Sequence, residues 1–100
     1  MQIDDKVVNN QVVVDLSGGM YVEGAEILRE KLIKYMEEGQ KHFLIKMNKV
    51  DYIDSSGLGV LVSIHKRTQQ CNGSLVIGGV TGFVKELFEL TRLNRVFDMQ

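Results

Sequence analysis

Asp54, Ser55 and Ser56, followed at once by Gly57-Leu58-Gly59, are the residues of this sequence whose types and spacing could do chemistry. Tyr52-Ile53 ends an extended approach, Asp54-Ser55-Ser56-Gly57 suits a turn, and Leu58, Leu61, Val62 and His65 begin a helix reaching about Gln70. A strand, a turn and a helix in that order put two hydroxyls at or just before a helix N-terminus. Unpaired backbone N–H groups and the positive end of the helix dipole collect there. Three roles fit that position. One serine can be an N-cap worth about 1 kcal/mol, with the glycines allowing a tight turn and close packing on a sheet. Ser55 can be phosphorylated, since a phosphate brings about −1.5 to −2 charges and three acceptor oxygens to N–H groups able to hold them. Either serine can be a nucleophile on a strand-to-helix elbow.

The nucleophile pattern fails its own test. An elbow needs glycines two residues before and two after the serine, whereas Ser55 has Ile53 and Ser56 has Asp54 at the earlier position. The candidate bases are His42, in or beside a strand, and His65, about two and a half turns up the helix and most simply a boundary residue. No lysine follows the glycines, as a phosphate-binding loop for nucleotides requires. Cys71, His65 and His42 lack zinc spacing, so neither a metal nor a cofactor is implied. The nucleophile is set aside, and capping and phosphorylation both stay open for the serines.

The elements that must position this turn follow from periodicity. Ile3 to Val8 and Gln11 to Leu16 flank Asn9-Asn10, two residues that tolerate positive φ, and Val12, Val14 and Leu16 alternate, which predicts a β-hairpin. Gly18-Gly19 is then a break. Ala25, Leu28, Leu32 and Met36 recur at helical spacing, Glu30 and Lys34 sit four apart on the exposed side, and Gly39 is a stop. His42 to Met47 reads as an interior strand with both faces partly covered. Asn72-Gly73 closes the second helix, and Ser74 to Ile77 is another strand. Thr81 caps a third helix with Val84, Leu87, Phe88 and Thr91 on one face, and Val96-Phe97 starts a last strand. A hairpin followed by alternating helices and strands implies an α/β fold, a small mixed sheet of four to five strands packed by three or more helices.

Composition bounds the function. One hundred residues leave room for one core, so residues 1–100 are expected to be a single domain. With 44% apolar and 25% charged residues the chain is not disordered by composition. Twelve basic and thirteen acidic residues give a net charge of −1, the basic ones scattered, so no nucleic acid is indicated. The lone Cys71 cannot form an internal disulfide and the N-terminus lacks a signal-peptide pattern. No apolar run approaches the roughly 18 residues of a membrane span, and a cytoplasmic location is expected.

The run Tyr52-Ile53-Asp54-Ser55-Ser56-Gly57-Leu58-Gly59-Val60-Leu61 resembles the signature of the STAS domain, specifically the bacterial anti-sigma-factor antagonists. The resemblance extends to Ile27-Leu28-Arg29-Glu30-Lys31-Leu32 and to Val84-Lys85-Glu86-Leu87-Phe88-Glu89-Leu90-Thr91, and so covers nearly the whole chain. It implies a partner-switching regulator, a binding module and kinase substrate rather than an enzyme. The unmodified protein binds an anti-sigma factor that is also a serine kinase and so frees the sigma factor. The kinase phosphorylates the antagonist and expels it, and a phosphatase restores it. Carried onto this sequence, the phosphoacceptor is Ser55, with Ser56 second. The expected partner-binding face comprises Met20, Tyr21, Asp54, Ser55, Ser56, Gly57 and Leu58, on a monomer or weak dimer. A different use of the same fold is a STAS adaptor within a larger signalling or transport-associated assembly, not switched by Ser55.

Two departures from the family pattern bear on this. Members usually carry a Gly-Glu-x-Asp run before the first helix, near the phosphorylation site; here Gly18, Gly19, Met20 and Tyr21 stand there and both carboxylates are gone. If those carboxylates position the kinase, this chain uses a different kinase or is phosphorylated poorly. The new loop content is apolar: Met20, Tyr21 and Val22 lie where a partner could touch them, although Met20 and Val22 could equally pack beneath the loop. Arg92 replaces a helix-ending glycine, with Asn94 a possible substitute at the left-handed position. Relatives usually continue further, so a chain ending at Gln100 is expected to be a short or trimmed member.

Overall fold

A computed structural model describes all of residues 1–100. The hairpin is β1 (Gln2–Val8) and β2 (Gln11–Met20), and α1 (Val22–Glu37) leads into β3 (His42–Ile53). Next come α2 (Ser55–Gln70), β4 (Ser74–Gly78), α3 (Gly82–Leu90), a 3-10 turn over Leu93–Arg95 and β5 (Asp98–Met99). One sheet runs in the order β1-β2-β3-β4-β5, antiparallel between β1 and β2 and parallel elsewhere. This is the expected mixed α/β fold, with five strands and three helices.

The hairpin turns as its asparagines require. Asn9 and Asn10 take φ of 50° and 64°, and Val8 pairs with Gln11 across a two-residue loop whose handedness matches the strand twist. Tyr35 donates a hydrogen bond to the Asp5 carboxylate and Lys31 Nζ lies 3.3 Å from it, tying the edge strand to α1. The Tyr35 hydroxyl, aided by Lys31, holds the Asp5 carboxyl below its ordinary range despite desolvation.

Several expected boundaries move. Gly18-Gly19 does not break the chain: β2 continues to Met20, and its pairing with β3 shifts between Asp15 and Ser17 and again between Gly18 and Gly19. The glycines act as irregularities within a strand because β3 offers pairing partners as far as Ile53, well past the predicted end at Met47. The last strand is Asp98–Met99, while Phe97 turns into the core, its ring 5.9 Å from that of Phe88. The left-handed position after α3 is taken by Arg92 itself, at φ 60°, rather than by Asn94.

One side of the sheet carries the core. Val12, Val14 and Leu16, Phe43, Ile45 and Met47, and Leu75 and Ile77 are all buried, and the register aligns Val12 with Phe43 and Leu75. Ala25, Leu28 and Leu32 of α1, Leu61 and Ile64 of α2, and Val84 and Phe88 of α3 join them in one cluster. The alternate residues Val13, Leu44 and Val76 form a half-buried row on the other side. Because α2 is anchored along this core, its first turn has a fixed place at the end of β3. No helix of the chain is long and apolar enough to cross a membrane.

Candidate functional site

β3 ends at Ile53, and Asp54 follows in an extended conformation, φ −100° and ψ −176°, as the N-cap of α2. Its Oδ1 accepts from the backbone N–H of Ser56 at 3.0 Å and of Gly57 at 3.2 Å. Its carbonyl accepts the first helical bond, from Leu58 N–H at 3.1 Å. Its own N–H donates to the Met20 carbonyl at 3.1 Å, which ties the end of β2 to the turn.

The cap is therefore the aspartate and not a serine, and the helix begins at Ser55 rather than near Leu58. Aspartate and serine rank alike as caps, but only the carboxylate brings a negative charge to the positive end of the helix. With the orphan N–H groups of Ser56 and Gly57 taken by Asp54, neither serine is needed as the cap. Ser55 is exposed, whereas Ser56 is half-buried.

Gly57 is buried because nothing larger fits. A Cβ there would stand 2.6 Å from Met20 Sδ and 2.7 Å from Ile53 Cγ1, closer than carbon tolerates. Met20 is thus the floor of the turn, fully buried, and the partner contact expected of its side chain is sterically closed to it. Leu58 is half-buried against the core. Tyr21 and Val22 are 58% and 53% exposed, so of the apolar loop residues only Met20 packs beneath.

Two residues outside the expected partner-binding face complete this surface. The Tyr52 ring stacks on Tyr21 at 5.2 Å between centroids and on Phe83 at 5.4 Å. Nothing local in the sequence marks this trio, because it is assembled from three elements.

The histidines do not join the serines. His42 opens β3, at the opposite end of a 12-residue strand from Ser55, and its Nδ1 lies 2.9 Å from Ser74 Oγ. His65 is ten residues along α2, roughly 15 Å from the first turn by helical rise, with its ring edge against Phe97 and its Nδ1 buried without a partner. Cys71 is exposed and free, and no group of three His, Cys, Asp or Glu side chains could hold a metal ion. An exposed serine next to a capping carboxylate, with neither histidine near it, can be modified or touched by another protein.

The family model of the STAS domain matches residues 2–100. The chain belongs to the STAS domain family. The anti-sigma-B factor antagonist of Bacillus subtilis is 33% identical to this STAS domain over 99 residues, which is 99% of this chain and 90% of the relative. Protein TM1081 of Thermotoga maritima, solved by NMR, matches it with a TM-score of 0.88 at 22% identity, covering 100% of this chain and 81% of that one. The Bacillus cell fate determinant SpoIIAA in its phosphorylated form matches with a TM-score of 0.82 at 18% identity, covering 99% and 89%. At these two identities the likeness is one of fold. The B. subtilis relative carries the functional comparison: this STAS domain has an anti-sigma factor antagonist among its relatives.

Proposed function

We infer that this chain is an anti-sigma factor antagonist acting by partner switching in the cytoplasm. Unphosphorylated, it binds an anti-sigma factor that is also a serine kinase; phosphorylation of Ser55 releases it, and a phosphatase returns it to the binding form. The observation that carries this reading is the exposed Ser55 beside an Asp54 that already occupies the N–H groups of Ser56 and Gly57. The similarity to an anti-sigma-B factor antagonist over nearly its whole length supports it.

The switch needs no refolding. In the unmodified state the small side chains of Ser55, Ser56 and Gly57 let a partner approach the turn closely. A phosphate added to Ser55 finds the two N–H groups taken by a carboxylate, and the chain from Val50 to His65 contains no lysine or arginine. The added charge of about −1.5 to −2 therefore meets no cation from its own segment of chain. Burying it against a partner costs several kcal/mol, and each ~1.4 kcal/mol is tenfold in affinity.

Incubation with the cognate kinase and ATP, read by intact mass, is expected to add one phosphate to the wild type and to Ser56→Ala and none to Ser55→Ala. Ser55→Ala should bind the anti-sigma factor and fail to release, and Ser55→Asp should bind weakly. Amide chemical-shift changes on phosphorylation should stay near the turn. No incorporation with any cognate kinase sinks the switch and favours the non-switching adaptor.

A further inference from the structure

Tyr21 stands at the N-terminal boundary of α1, Tyr52 near the end of β3 and Phe83 in the first turn of α3, yet their rings form one continuous stack with interplanar angles of 27° and 6°. The three residues are 58%, 37% and 49% exposed. The fold makes room for this arrangement. A Cβ on Gly19 would lie 2.9 Å from Tyr21 Cε2, so the missing side chain is what lets that ring lie back over the strand toward Tyr52. Stacking covers the inner ring faces and leaves the outer faces of Tyr21 and Phe83 as flat apolar platforms with negative π-faces.

The stack is continuous with the serine turn. Tyr52 lies three residues before Ser55, and the bond from Asp54 N–H to the Met20 carbonyl sets Tyr21 beside the same turn. The segments that carry Tyr21, Tyr52 and Ser55 are acidic. Residues 19–28 and 50–65 together contain Glu23, Glu26, Asp51 and Asp54 and no lysine or arginine, in a chain whose net charge is only −1. On α3, Lys85 stands against Glu86 and Glu89.

Resting on Ser55 as the switched residue, we propose that the Tyr21–Tyr52–Phe83 stack and its acidic rim select the protein that acts there, by taking a basic protein face that presents arginine side chains. A guanidinium is planar, stacks on aromatic faces, is weakly hydrated and pairs with carboxylates through two parallel bonds, whereas a lysine offers only a point charge. Recognition and release then use different parts of one surface. The rings and carboxylates attract, and the phosphate acts at the turn where the partner must come closest.

The test measures binding of the full unphosphorylated chain to each purified ATP-binding anti-sigma factor of its source genome by titration calorimetry. The wild type is expected to bind one of them, with affinity falling about tenfold or more between roughly 50 and 500 mM salt. Tyr21→Ala and Phe83→Ala should each weaken binding about tenfold or more, as truncated aromatic anchors do. Gly19→Ala, which pushes the Tyr21 ring out of the stack, should also weaken it, while Leu90→Ala, 82% exposed at the far end of α3, should bind like the wild type. Unchanged melting temperatures for the ring variants keep the comparison on binding.

A wild type that is bound and phosphorylated on Ser55, with Tyr21→Ala and Phe83→Ala binding within about twofold of it, overturns the docking surface and leaves the switch standing. Salt-independent affinity overturns the basic partner face. Failure of every anti-sigma factor to bind the wild type takes down the antagonist function, and this surface with it.

Discussion

Two turns leave neighbouring parallel strands and open helices, and they are built on different principles. After β3, Asp54 is extended and its carboxylate closes the end of α2 by accepting from two backbone N–H groups. After β4, Thr81 is also extended, at φ −142° and ψ 166°, but its side chain caps nothing, and the path depends on Gly79 and Gly82 at φ of 74° and 56°. A side-chain cap holds the first turn in one shape and leaves a serine hydroxyl to spare. Backbone freedom shapes the second, whose first helical turn presents an aromatic ring instead. The Tyr52–Phe83 stack joins the two, so an exposed serine and an exposed aromatic surface lie side by side although they belong to separate connections.

The largest expected effect breaks the second turn. Gly79→Ala places a Cβ 2.4 Å from the Asn48 side chain at a positive φ, and should cost about 2–3 kcal/mol in urea unfolding, partly recovered by adding Asn48→Ala. Gly57→Ala attacks the first turn from below. It forces Met20 and Ile53 aside, and should cost about 1.5 kcal/mol, with resonance changes at both residues. The capping difference itself is read by a pair. Asp54→Ala should lose about 1 kcal/mol, and Thr81→Ala less than about 0.3 kcal/mol; equal losses would remove the distinction between the turns. The smallest change has the opposite sign. Gly59 is exposed on α2 with nothing near its Cβ position, so Gly59→Ala should stabilise by about 0.7 kcal/mol, seen as a raised melting temperature.

Much of this molecule is local and therefore readable from its sequence. Asn9-Asn10 demanded a tight turn through their tolerance of positive φ, the three-to-four spacing of Ala25, Leu28 and Leu32 marked a buried helix face, and alternation marked Val12, Val14 and Leu16 as core. The serine turn was legible because its parts are contiguous. Strand ends were not, since β2 and β3 extend each other by pairing, and a strand's length depends on what lies beside it.

By itself, then, the sequence determined a mixed α/β fold and an Asp-Ser-Ser-Gly turn at the head of α2, because both follow from periodicity and from residues adjacent in the chain. Only the tertiary structure decided among residues competing for one role. It made Asp54 the cap, freeing the serines from that role, and it put Met20 under the turn while leaving Tyr21 outside. It also brought Phe83 onto Tyr52 across 31 positions of chain. The physical reason is the same in each case: which side chain reaches an N–H group, fills a void or meets another ring is settled by packing between elements, and the linear spacing of residues carries no record of it.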